Sequence, residues 1–439
     1  MRPLDDTHDP QRRSWVASAN GATDFPIQNL PLGVFARDGS GHGPSIGVAI
    51  GDQILDLRRC RDGGILDDLP TEIRDAACSS RLNGLGALGP SALRLLRARV
   101  GRILDANGRQ AEPAALVPMS DARLLLPFEV GDYSDFYTSI HHATNVGHMF
   151  RSGDPLFPNF KHLPVGYHGR SSSIVPSGTL VHRPHGQCLA ERGGVPVWRP
   201  SARLDYELEI GAFVGCGNRW GEAIALANAE DHLFGLCLLN DWSARDIQTW
   251  ESQPLGPFLA KSFATTVSPW VVTLEALAPF RSPAATRDPS DPSPLPYLQD
   301  PGNAAAGGFD IVCEVSIASA AMRAAQIPPY RISANAFRDM YWTIAQMLAH
   351  QTSNGCNVRP GDLLGSGTVS GAAPGTLGCL LERTREAPIA LPTGETRTYL
   401  ADGDEVTFRA HCRRPSYVSI GFGECRGVIA TPVRTPAAQ

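Results

Sequence analysis

The stretch Arg203-Leu204-Asp205-Tyr206-Glu207-Leu208-Glu209-Ile210 alternates with the two-residue period of a β-strand. Leu204, Tyr206, Leu208 and Ile210 share one face, and Asp205, Glu207 and Glu209 share the other. Like charges along one strand face repel unless a cation lies between them. Either the acidic face is solvated, or it holds a hard, oxygen-seeking divalent ion. Two further acids stand in similar settings, Asp135 in Asp135-Phe136-Tyr137 and Asp241 in Asn240-Asp241-Trp242-Ser243-Ala244-Arg245-Asp246, and no lysine or arginine is immediately adjacent to Asp135, Glu207, Glu209 or Asp241. Leu233–Leu239 is a nearly unbroken apolar run, as expected of a strand buried on both faces, and it delivers Asp241 at its end.

The 439 residues suffice for two or three domains. A formal net charge of −5 gives no sign of a nucleic-acid or anionic-membrane partner. No apolar stretch approaches the length of a membrane span, and Met1 to Arg13 has no apolar signal core. Ten cysteines without a Cys-x-x-Cys pair, several inside apolar runs such as that around Cys237, point to a reduced, cytoplasmic protein.

The first twenty or so residues are polar, and order is expected to begin near Phe25. Ser45–Ile50, a Gly51-Asp52 turn and Gln53–Leu57 predict a hairpin. A helix is expected from Ser91, with Leu93, Leu96, Val100, Ile103 and Leu104 as its stripe and Asn107-Gly108 as its stop. These elements make a small β-rich N-terminal domain ending near residue 120. Short β-like runs follow from Asp132, with a Pro/Ala/Ser/Asp-rich excursion over 278–308. One amphipathic helix is expected through Phe337, Met340, Tyr341, Ile344, Met347 and Leu348, and late strands over 361–369 and 405–411.

Gly84-x-Gly86-x-x-Gly89 matches a dinucleotide-binding string, but it follows polar Ser79-Ser80-Arg81 and precedes Pro90, so it is read as a loop. His141, His142, His148, His162 and His168 crowd one segment, without His-Glu-x-x-His or a cysteine at ligand spacing. Oxygen-ligated Ca²⁺ or Mg²⁺ is therefore preferred to zinc, which leaves one histidine free to act as a base. Lys261 lacks the preceding glycines of a phosphate-binding loop. A cation near Asp241 and Arg245 could instead stabilise a developing oxyanion.

At these residues the chain resembles the fumarylacetoacetate hydrolase family. The resemblance is carried by Asp132–Tyr137, His142–Gly147, Leu163–Arg170, Asn240–Gln248, Ser262–Trp270 and Asn357–Leu364, in family order over most of residues 130–430. It implies a mixed, mostly β (α+β) architecture with an N-terminal SH3-like barrel over 1–125 and a catalytic β-roll over 126–439, working as a homodimer. It implies hydrolysis of 4-fumarylacetoacetate, a diketo dicarboxylate, to fumarate and acetoacetate. Asp135, Glu207, Glu209 and Asp241 would ligate a catalytic Ca²⁺, and Asp241, Lys261 and Thr265 would bound a structural Mg²⁺. His142 would be the base, oriented by Glu382, with Arg245, Gln248 and Lys261 forming the oxyanion hole. Tyr137, Arg151, Gln248 and Thr368 would hold substrate, with Tyr167 nearby. One departure stands out: Trp250-Glu251 is followed by Ser252 where the family usually has tyrosine. A related diketone enzyme on the same scaffold and a catalytically silent metal binder are the rival readings. The whole-chain match argues against the first, and intact His142, Glu382, Arg245 and Lys261 against the second.

Overall fold

The computed structural model describes residues 2–37, 43–108, 113–190 and 194–433. The predicted hairpin forms as Ser45–Ile50 against Gln53–Asp56, turning at Gly51, whose φ of +58° suits a residue without Cβ. Strands Leu32–Ala36, Arg123–Leu125 and Leu116–Pro118 complete a five-stranded antiparallel sheet. Its strands are apolar and its inner residues are closed to solvent, with Ile46, Ala49, Ile50 and Ile54 at 0–1% exposure.

The helix expected at Ser91 begins two residues earlier, spanning Gly89–Leu104 with Pro90 in its first turn. The glycine string before it is helical rather than a loop. Asn83–Ala87 forms a short helix, and Gly86 packs close against the Gly215 backbone. The N-terminal segment is likewise anchored rather than loose. Arg2 is buried against Asp231 and Glu275, and His8 Nε2 meets the Glu275 carbonyl at 2.8 Å. Contacts this distant in sequence leave no local signature.

The C-terminal part is built on two sheets. One runs in the order Gly166–His168, Tyr133–Phe136, Leu363–Gly365, Leu208–Val214, Leu233–Asp241, Thr265–Val267, Ile174–Pro176, with Val272–Thr273 paired to Leu233–Asp241 off that path. The second orders Tyr330–Ala336, Val312–Ala318, Glu405–Cys412, Ile420–Ala430 and Leu180–His182. Leu233–Asp241 is buried along its whole length, as its apolar run requires. The amphipathic stripe beginning at Phe337 divides into a turn of 3₁₀ helix, Phe337–Asp339, and a helix Ile344–Thr352. The break is enforced by Thr343, which caps the second helix in a reciprocal capping box with Gln346. The late strand over 361–369 is confined to Leu363–Gly365. Among the described residues no helix is long and apolar enough to cross a membrane.

Candidate active site

Three strands of the larger sheet deliver the acids to one point. Asp135 lies on Tyr133–Phe136, Glu209 on Leu208–Val214 and Asp241 at the end of Leu233–Asp241. Their carboxylate oxygens lie within 4.8 Å of one another, and all three residues are buried. Gly365 on the intervening strand makes the approach possible. A Cβ there would stand 2.6 Å from Asp135 Oδ1 and 2.8 Å from Glu209 Oε2.

A solvated acidic face is excluded, since Asp205, Glu207 and Glu209 are 0–6% exposed. The three nevertheless differ. Asp205 receives the Leu380 and Leu381 N–H groups and Arg245 Nε. Glu207 is turned toward Arg245 Nη1 at 2.5 Å and Lys261 Nζ at 2.7 Å, outside the tight trio. The sequence places no cation beside these acids; the fold supplies two. Despite its burial, Glu207 is held well below the usual carboxylate range by Lys261, Arg245 and His142.

For Asp135 and Glu209 the pull of Lys261 is outweighed by burial. Asp135 Oδ1 and Glu209 Oε1 are buried with no hydrogen-bond partner among the described residues. Burial, reinforced by the charges of Asp135, Asp241 and Glu207, pushes Glu209 well above its ordinary range. Burial and the neighbouring carboxylates outweigh Lys261 and raise Asp241 to about 7. Mutually repelling carboxylates on three strands, two of their oxygens unpartnered among the described residues, fit a divalent cation with oxygen ligands. The Tyr167 hydroxyl lies 3.0 Å from an oxygen of Asp135 and 3.0 Å from one of Asp241, able to donate to either, and Tyr133 donates to Asp135 at 3.0 Å. Lys261 also contacts Asp241, and Thr265 is the backbone partner of Asp241 in the sheet.

The second cluster is built differently. Ser139 caps the helix Ile140–Phe150, which carries His142. His142 Nδ1 lies 2.6 Å from Glu382 Oε2. Glu382 also accepts from Asn145 Nδ2 at 2.8 Å and Ser370 Oγ at 2.7 Å. Burial alone would raise its pKa, but His142 and these hydrogen bonds pull it down to about 2. An ionised Glu382 favours the His142 tautomer that carries its proton on Nδ1, in which the Nε2 lone pair is free. His162 and His168 are exposed, so the histidine-rich segment is not one cluster.

The two clusters meet at Glu207, whose backbone pairs with Cys379 in an isolated antiparallel bridge. Tyr137 sets its ring edge to His142 at a centroid distance of 5.2 Å. Arg245 donates to Gln248 Oε1 at 3.1 Å, and its Nη2 is buried without a partner among the described residues. Thr368 Oγ1 is likewise buried and unpartnered. Arg151 is held on its own loop, donating to the Pro155 carbonyl and lying 4.0 Å over the Phe157 ring. Ser252 turns its hydroxyl onto the Gln248 carbonyl at 2.5 Å. A 140 Å³ cavity lined by Tyr133, Tyr167, Asp241, Lys261 and Thr265 opens beside the acids. A larger cavity of 380 Å³, between Gly217 and His232, contains none of these residues.

Several partners carry no role in the sequence reading. Tyr133 and Asn145 could have been found by periodicity, since they share a strand face with Asp135 and a helix face with His142. Ser370, Gly365 and Cys379 come from distant segments and leave no pattern.

The family described as fumarylacetoacetate (FAA) hydrolase C-terminal matches residues 133–430, and fumarylacetoacetase N-terminal matches residues 28–127. The fumarylacetoacetase of Rattus norvegicus is 46% identical over 427 residues, covering 94% of this chain and 98% of that protein. That of Homo sapiens is 46% identical over 421 residues, covering 93% and 96%, and that of Caenorhabditis elegans 47% identical over 420 residues, covering 93% and 96%. The solved structure of a fumarylacetoacetate hydrolase from the psychrophilic Exiguobacterium antarcticum shares the fold, with a TM-score of 0.50 at 16% identity over 92% of this chain and 99% of that one. With both halves matched and near-full-length identity of this size, the chain belongs to the fumarylacetoacetate hydrolase family.

Proposed function

We propose that this chain hydrolyses the carbon–carbon bond of 4-fumarylacetoacetate, yielding fumarate and acetoacetate, as the last step of tyrosine and phenylalanine breakdown. The single observation that carries the reading is the seating of His142 on Glu382, both of whose oxygens are bonded, beside buried carboxylates with orphaned oxygens, joined through the Glu207–Cys379 bridge. A silent metal binder needs only the carboxylates. Near-full-length similarity to proteins named fumarylacetoacetase supports the substrate.

Asp135, Glu207, Glu209 and Asp241 would hold a catalytic Ca²⁺, and Asp241, Lys261 and Thr265 would bound a structural Mg²⁺ near the lysine's backbone carbonyl, since an ammonium cannot ligate a cation. When bound, the cation supplies electrophilic polarisation of the two diketone oxygens. His142 Nε2 takes a proton from water as its oxygen adds to the scissile carbonyl, and Glu382 stabilises the resulting imidazolium through Nδ1–H. Arg245, whose Nη2 is free, acts with Gln248 and Lys261 on the developing oxyanion. The carbon–carbon bond then breaks, its electron pair stays with the acetoacetate carbon, and the imidazolium returns its proton there. Tyr137, Tyr167, Arg151, Gln248, Thr368 and the shelf at Ser252 position the dicarboxylate, the Arg151 guanidinium suiting one of its carboxylates.

The division at residues 125/126, a homodimer and a cytoplasmic location belong to the same proposal. The ten unpaired cysteines support a reducing compartment. The direct assay is loss of fumarylacetoacetate absorbance with purified protein. Inert behaviour toward it, with turnover of an acylpyruvate, would move the chain to the related diketone enzymes.

A further inference from the structure

Cys379 has no part in the mechanism above, yet its thiol lies against the catalytic pair. Cys379 Sγ is 3.2 Å from Glu382 Oε2, the same oxygen that meets His142 Nδ1 at 2.6 Å. Sulfur, nitrogen and oxygen lie within 4.8 Å of one another, and all three residues are buried. The zinc reading fails on sequence spacing, but the fold supplies the missing cysteine from another segment. We propose that Cys379, His142 and Glu382 form a separate inhibitory site for a thiophilic dication such as Zn²⁺ or Cd²⁺. The inhibitory half rests on His142 being the base.

The donor set is one thiolate, one imidazole and one carboxylate, which suits borderline and soft cations. At metal–sulfur and metal–nitrogen or –oxygen lengths of about 2.3 and 2.0 Å, tetrahedral donors stand roughly 3.3–3.5 Å apart. The sulfur–oxygen separation of 3.2 Å is within about 0.3 Å of that for a tetrahedral pair. The nitrogen–oxygen pair must open by under about 1 Å, within side-chain adjustment. Binding exchanges protons without redox change. The thiol proton leaves to solvent as the sulfur–metal bond forms. The imidazole proton moves from Nδ1 to Nε2, and the Nδ1 lone pair takes the metal. Nε2 then carries a proton and can no longer accept one from water. Hard Ca²⁺ and Mg²⁺ have little affinity for sulfur and stay with the carboxylates, so softness separates the two sites.

The test titrates Cd²⁺ into the Ca²⁺-saturated protein, following the thiolate-to-cadmium ultraviolet band and the remaining fraction of each variant's own cadmium-free rate. The other nine cysteines form a background common to both variants. Wild type is expected to show one equivalent of absorbance that Cys379→Ser lacks, with activity falling along the same curve. The cadmium needed for half-inhibition should rise at least about ten-fold in Cys379→Ser. Identical bands and identical inhibition in both proteins overturn the site. The difference band without inhibition upholds the site and overturns His142 as the base. Retained Ca²⁺ binding certifies the fold of Cys379→Ser; if it is lost, Cys379→Ala carries the same comparison.

Discussion

The two halves of the site meet opposite electrostatic problems. Asp135, Glu209 and Asp241 are gathered by three strands and kept from water, with two oxygens lacking any partner among the described residues. The His142–Glu382 half is equally buried, yet both oxygens of Glu382 are bonded and its charge is held in place. One half is under-satisfied and calls for an added charge; the other is complete. A satisfied buried network fixes geometry, and an unsatisfied one marks where a ligand supplies what the protein lacks.

The largest effect should follow from weakening the under-satisfied half. Glu209→Gln should abolish cation-dependent stabilisation and bring turnover to background, while the cation-free protein gains about 1 kcal/mol because a carboxyl that burial forces to take up a proton is gone. Calorimetry and thermal melts with and without Ca²⁺ read both. A cation-free protein destabilised by that change would break the contrast. In the complete half, His142→Ala should lower kcat by about 10²–10⁴-fold, with Ca²⁺ affinity unchanged. Unaltered kcat would assign the base elsewhere, His168 being the next candidate.

Glu382→Gln should cost less in kcat, because the imidazole remains, but it should register in stability. The folded-state pKa is depressed from 4.5 to about 2. Its contribution, about 3 kcal/mol, is therefore full above pH 4.5 and is lost as pH falls through about 2. Wild type and variant should differ in Tm at pH 7 and converge in strong acid. Parallel curves throughout would contradict the pairing. The smallest effect belongs to the rim. Ser252→Tyr adds an aromatic wall worth about 1–3 kcal/mol, lowering KM ten- to a hundred-fold with kcat little changed and excluding bulkier acylated diketones. If KM and substrate range stay fixed, position 252 does not line the pocket.

What could be read from sequence follows the reach of the forces involved. Asp241 was legible because an unbroken apolar run must end somewhere, and the chain ends it with a carboxylate. Glu207 and Glu209 share a face by alternation, but their different fates depend on Lys261 and Arg245, which arrive by tertiary contact. Glu382 entered only through family resemblance; no local pattern links it to a histidine 240 residues away. The N-terminal segment looked loose because Arg2 finds Asp231 and Glu275 across more than two hundred residues. The stripe from Phe337 hid a break because Thr343 and Gln346 start a new helix inside it. Periodicity reports which face a residue occupies, and says nothing of what crosses to meet it.

The central claim is that the orphaned carboxylates hold a divalent cation on which turnover depends. Its most direct test follows fumarylacetoacetate absorbance with protein chelated until elemental analysis finds no metal, then titrated with Ca²⁺ or Mg²⁺. No turnover is expected in the stripped protein, with recovery that saturates with bound metal. Full turnover at zero metal content would contradict it.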